Sequence, residues 1–172
     1  MKKIILTVLL LILIPLQCLA NNVALSTHTT SKGELIVQSD SRTFDVLKGV
    51  YELQGNVCVN LPIRKKKLAV KADRASVHIY DFEVHCSGNI NLVYNDLNFK
   101  CDTVDVFHEG RIAYVTGNLQ FDDGKTKIMA DKGSYCWKTK LAIFEGNVVV
   151  NGEAPNNRVI YYVVNKKIVR RL

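Results

Sequence analysis

No helical stripe runs through this sequence: nowhere after residue 33 do apolar residues recur convincingly at three- and four-residue intervals. It has no phosphate-binding P-loop, no G-x-S-x-G elbow and no H-E-x-x-H pair, so the familiar signatures of nucleotide, acyl-transfer and zinc-hydrolase chemistry are missing. No two of Cys58, Cys86, Cys101 and Cys136 stand at a metal-type spacing such as C-x-x-C. The one long apolar run, Ile4 to Leu16, falls short of the roughly 20 residues of a stable membrane span. What is present is a leader, two basic clusters and a repeat.

Lys2-Lys3, the apolar run and the A-x-A-like end Cys18-Leu19-Ala20 read as a secretory signal, with cleavage expected after Ala20. Gln17 before Cys18 is not the small residue of a lipoprotein signal. The reading divides the chain into a cleaved signal (1–20), a flexible lead-in (21–33), one domain (34–165) and a basic C-terminal tail (166–172). About 150 residues remain after cleavage, enough for one domain with a sizeable core. The formal net charge is +7, of which Lys2 and Lys3 supply two. Arg64-Lys65-Lys66-Lys67 and Lys166-Lys167…Arg170-Arg171 hold much of the rest. Such clusters suit anionic surfaces and equally serve as solvated loops. Export argues against nucleic acid. The four mature cysteines permit two disulfides in an exported chain, but buried free thiols also act as small apolar groups.

The repeat is a Gly-Asn step into a β-type run: Gly55-Asn56, Gly88-Asn89, Gly117-Asn118 and Gly146-Asn147. Each copy has an aspartate fifteen residues upstream: Asp40, Asp73, Asp102 and Asp131. Two and four residues after each glycine stand Val57 and Val59, Ile90 and Leu92, Leu119 and Phe121, Val148 and Val150. Two and four before it stand Leu53 and Tyr51, Cys86 and Val84, Val115 and Ala113, Phe144 and Ala142. The residues between are mostly polar, which is the period-2 signature of strands with one buried face.

Gly-Asn could be a two-residue hairpin turn. That would place Gln54 opposite Val57, Ser87 opposite Ile90, Thr116 opposite Leu119 and Glu145 opposite Val148, mixing polar and apolar on one face. A strand continuing through the glycine avoids the mismatch, with the glycine marking a bend or close approach. Around each aspartate the apolar parity shifts. Val70 and Ala72 face inward before Asp73, for example. After the four aspartates come Phe44 and Val46, Val77 and Ile79, Val104 and Val106, Tyr135 and Trp137. The shift predicts a bulge or corner there, with each carboxylate accepting local backbone N–H groups. Two strands per unit give an antiparallel meander. By parity Cys86 and Cys101 point inward, and Cys58 and Cys136 outward.

The x-A-D-x-A…G-N-V-x-V pattern, carried best by Ala72-Asp73 with Gly88-Asn89-Ile90 and Ala130-Asp131 with Gly146-Asn147-Val148, resembles the OstA-like family and its LptA-type periplasmic lipopolysaccharide transport proteins. Ser39 and Cys101 depart from it where alanine is usual. The resemblance implies an all-β fold, an open antiparallel β-jellyroll of V-shaped section. It implies that the apolar interior holds the acyl chains of lipid A. Candidate lining residues are then Leu53, Val57, Val59, Val84, Ile90, Leu92, Val115, Leu119, Phe121, Phe144, Val148 and Val150. The same residues would serve a dry core.

The resemblance also implies assembly by strand addition, head to tail with further copies or with LptC-like and LptD-like jellyrolls. Candidate end strands are Leu35, Ile36 and Val37 at one end and Val159, Ile160, Tyr161 and Tyr162 at the other. Two other readings stand beside it: a retained leader would make the chain an LptC-like anchored partner, and a lipid-free chain a structural β-repeat protein. No catalytic residue, metal site or cofactor is expected. The aspartates occupy equivalent positions and so are spread along the fold. His78 and His85 could face each other across a hairpin, but no third metal ligand is evident.

Overall fold

The computed structural model describes residues 36–63, 66–94 and 96–172, with the backbone alone for 61–63, 66 and 67. The expected signal, the lead-in, Leu35 and the Arg64-Lys65 pair lie outside the described residues. Eleven strands follow one another: β1 (Ile36–Gln38), β2 (Ser41–Asp45), β3 (Val50–Ile63), β4 (Lys66–His78), β5 (Glu83–Tyr94), β6 (Leu97–Phe107), β7 (Ile112–Asp122), β8 (Lys127–Cys136), β9 (Leu141–Val150), β10 (Asn156–Tyr162) and β11 (Lys167–Arg171). All pairings are antiparallel, and each strand from β3 to β11 lies beside its sequence neighbours. β1 and β2 both pair with β3, one on each half of it. The sheet does not close on itself: β1 and β2 form one edge and β11 the other.

The Gly-Asn steps lie inside β3, β5, β7 and β9, so those strands do continue through them. Every register between β3 and β9 shifts at this line, and the Gly-Asn strand always carries the extra residue. The bulge therefore sits on the Gly-Asn strand, and the aspartate is the single residue facing it. Both bulge residues are left-handed, with φ of 72–77° at the glycines and 47–48° at the asparagines. Glycine adopts that conformation freely, and asparagine better than most other residues.

The line of bulges creases the whole sheet and divides it into two wings. Wing 1 holds β2, the turn-proximal halves of β3–β9 (50–54, 74–78, 83–87, 103–107, 112–116, 132–136, 141–145), most of β10, and β11. Wing 2 holds β1 and the other halves (57–63, 66–72, 90–94, 97–101, 119–122, 127–130, 148–150). The inward faces of both wings share one apolar core that includes Leu53, Val57, Ile90, Leu119, Phe121, Phe144, Val148, Val159 and Tyr161.

Three expectations need correction. The basic C-terminal tail is largely a strand, because Lys167–Arg171 pairs with Val159–Tyr162. β10 is consequently an inner strand, flanked by β9 and β11, and Val159 and Tyr161 are wholly buried. Val159, Ile160, Tyr161 and Tyr162 thus do not offer a free edge, since the chain folds back once more and places β11 there. Val46 is 68% exposed, in the turn after β2, because its strand ends at Asp45.

Candidate apolar slot

The crease holds its angle through a repeated bond. The carboxylate Oδ2 of Asp40, Asp73, Asp102 and Asp131 accepts the side-chain amide of Asn56, Asn89, Asn118 and Asn147 at 2.8, 2.9, 2.8 and 2.9 Å. The partner is thus a side chain on the neighbouring strand, where local backbone N–H groups were expected. The left-handed asparagine turns its amide toward the aspartate, and the preceding glycine leaves room for the carboxylate. A Cβ at any of the four glycines would overlap that carboxylate. These aspartates are exposed and spread across the outer ridge of the crease.

Inside the crease the two ends of the molecule differ. The positions nearest the fold line are buried throughout, among them Val57, Ile90, Leu119 and Val148. Farther out, burial divides. In β3–β6 the inward-facing Val59, Val70, Val84, Leu92 and Phe99 remain partly exposed, whereas Val77 of β4, opposite Val84, is buried. In β7–β10 Phe121, Ile128, Ala142, Val150 and Tyr161 are buried, while Ala113 and Tyr135 stay partly exposed. Large rings enter at two equivalent places of the repeat in the C-terminal half. The place four after the glycine holds Val59, Leu92 and then Phe121, and the place two before it holds Leu53, Cys86, Val115 and then Phe144. The Phe121 ring packs 5.6 Å from Phe144 and 5.4 Å from Tyr161, centre to centre, joining the wings. At the opposite end Phe44 and Tyr51 stack at 4.1 Å and both stay partly exposed.

The candidate lining residues therefore separate into two groups. Val59, Val84 and Leu92 are partly exposed on the inward face. Leu53, Val57, Ile90, Val115, Leu119, Phe121, Phe144, Val148 and Val150 are packed in the crease or the closed half. Phe99 and Val70 are partly exposed on that face as well.

A polar cluster at the closed end had no sequence signal beyond an Asp-Gly turn. The Tyr161 hydroxyl donates to Asp123 Oδ2 at 2.5 Å, and Asp123 Oδ1 accepts the N–H groups of Lys125 and Thr126 at 3.1 and 2.9 Å. The Lys166 ammonium, in the β10–β11 turn, reaches the Asp96 carboxylate and the carbonyl of Asp123. Burial raises the Asp123 pKa, but the Tyr161 hydroxyl, the two N–H groups and Lys166 outweigh it and hold the carboxyl below its ordinary value. Burial and the hydrogen bond to Asp123 push Tyr161 up to about 12.

The cysteines follow the parity reading: Cys101 is buried and Cys86 packs against the core, and all four described thiols are free. Burial pushes Cys86 up to about 11 and Cys101 to about 12. His78 and His85 do meet, edge to face at 5.0 Å. His85 is held at 2.8 Å by Asp105 and at 3.4 Å by Glu83.

No family model and no curated protein matches the chain. Among solved structures it is similar to LptH of Pseudomonas aeruginosa. That crystal structure is described as the LptA-homologous periplasmic component of the conserved lipopolysaccharide transport device. The two share 14% identity over 72% of this chain and 84% of the other, with a TM-score of 0.49. The chain itself is all-β, one open antiparallel sheet creased into a jellyroll.

Proposed function

We propose that this chain is a periplasmic component of lipopolysaccharide export that holds the acyl chains of lipid A between its wings and passes them from the inner toward the outer membrane. One observation carries the reading: five inward-facing apolar side chains of β3–β6, Val59, Val70, Val84, Leu92 and Phe99, stay partly exposed, while Phe121, Ile128, Val150 and Tyr161 of β7–β10 are buried. A dry core closes over such residues, and open apolar surface lining a concavity suits a hydrocarbon ligand. The export signal and the repeated Asp…Gly-Asn pattern support the same role.

Transfer requires neighbours. LptC-like and LptD-like jellyrolls, or further copies of this chain, would add strands at the open edges, β1 and β2 at one end and β11 at the other. Lys167 and Arg170 on β11 disfavour indiscriminate pairing, since charge on an edge strand blunts self-association.

Mass spectrometry of lipid that co-purifies with the exported protein tests the role. Lipid A species bound to the protein are expected. Protein that carries none and takes up none from added lipopolysaccharide would be a structural β-repeat protein.

A further inference from the structure

The strip of partly exposed inward-facing apolar residues ends inside the molecule. Across β3–β6, a width of roughly 15 Å at about 4.8 Å per strand, Val59, Val70, Val84, Leu92 and Phe99 stay partly exposed above a buried floor that includes Val57, Val77 and Ile90. The strip then meets Phe121, Phe144 and Tyr161, whose rings stand in contact across the two wings and are 6%, 3% and 0% exposed. Behind them Ile128, Val148, Val150 and Val159 are wholly buried, leaving no room for a chain to continue.

This wall is fastened as well as packed. Tyr161 belongs to β10 in wing 1, and Asp123 to the β7–β8 turn at the rim of wing 2, so their bond ties the wings together at the mouth. Lys166 repeats the tie from the β10–β11 turn, to Asp96 and to the Asp123 carbonyl. A carboxylate 3% exposed is costly to bury without such donors, so the cluster favours one closed arrangement.

We propose that the lipid slot is one-ended: the Phe121–Phe144–Tyr161 wall, latched by Tyr161 to Asp123, stops an acyl chain at β6–β7 and thereby sets how far it penetrates. This rests on the reading that the interior holds acyl chains. The wall determines which tails fit completely, and onward passage through the C-terminal end requires the β10–β11 hairpin to lift. Tails longer than the slot project from its N-terminal mouth.

The test uses the exported full chain and fatty acids of increasing length carrying a terminal diazirine, with labelled residues mapped by mass spectrometry. Wild-type protein is expected to label at Val59, Val84, Leu92 and Phe99 and to leave β9 and β10 unlabelled. Phe121→Leu lowers the wall using the residue that Leu92 already supplies at the equivalent place, and Tyr161→Phe removes the latch while keeping the ring. In each variant, with folding confirmed by circular dichroism, labelling at Val150 and Val159 should rise severalfold for the longer tails. Wild-type labelling across both halves, or an unchanged map in both folded variants, overturns the wall. Absence of labelling anywhere in the wild-type interior overturns the lipid reading itself, and the wall's role with it.

Discussion

Tyr161 and Asp123, 38 residues apart, share a 2.5 Å hydrogen bond that crosses from one wing of the sheet to the other. Tyr161 is completely buried and Asp123 nearly so. A hydroxyl and a carboxylate in that setting are stabilising only while each has the other, because either alone would be a buried group short of a partner.

Tyr161→Phe should therefore cost about 1–3 kcal/mol in urea unfolding at neutral pH. It should also change the pH profile at both ends. Asp123, lowered in the folded state, contributes stability above its ordinary value of 3.8 and loses it as pH falls through the folded value. Tyr161, raised to about 12, contributes fully below 10 and loses its share between 10 and 12. The variant should lack the alkaline loss and show a weaker acid loss. An unchanged profile would mean that the bond contributes nothing.

The crease depends on glycine at one place per repeat. Gly117 has φ of +77° and its Cα lies against the Asp102 carboxylate. Gly117→Ala is expected to cost about 2–4 kcal/mol, combining the left-handed backbone penalty with the overlap. Chemical denaturation of the variant measures it; a cost near zero would show that the bulge tolerates a side chain.

The wing-1 turns contain the opposite situation. Gly49, Phe82, Arg111, Lys140 and Lys166 occupy the same left-handed turn position, with φ of 64, 53, 53, 65 and 50°. Only the first is glycine. Arg111 is exposed, and Arg111→Gly should stabilise the fold by about 0.5–1 kcal/mol. A rise in the denaturation midpoint would show this.

Thiol alkylation should discriminate the cysteines. Hydrogen bonds from Thr139 lower the pKa of Cys136, whereas burial raises Cys86 and Cys101. The thiolate is the reactive form, so Cys136 should modify quickly in native protein and Cys86 and Cys101 only after unfolding. Equal rates at Cys136 and Cys101 would contradict the burial assigned to them.

The fold was largely legible because the repeat states its own parity. Mismatched facing residues such as Gln54 and Val57 exclude a hairpin at Gly-Asn, and the strands do run through it. The location of the bulge was less legible, because apolar parity shifts around the aspartate whichever strand carries the extra residue. β11 was hidden by its charge: Lys-Ile-Val-Arg-Arg reads as a tail, and only pairing with β10 reveals it as an edge strand. The division of the interior into slot and wall depends on which large side chains meet across the wings. Phe121 and Tyr161 are 40 positions apart, and periodicity says nothing about contacts at that range.

The central claim is that lipid lies between the wings. Leu92 and Val93 test it most directly, as adjacent apolar residues of β5 facing opposite ways, Leu92 to the inward face beside Val70 and Phe99 and Val93 out to solvent with 39% exposure. A photo-crosslinking amino acid placed at each in turn, with lipopolysaccharide added to the purified protein, should label strongly from position 92 and only weakly from position 93. Equal labelling from the two positions would contradict the account.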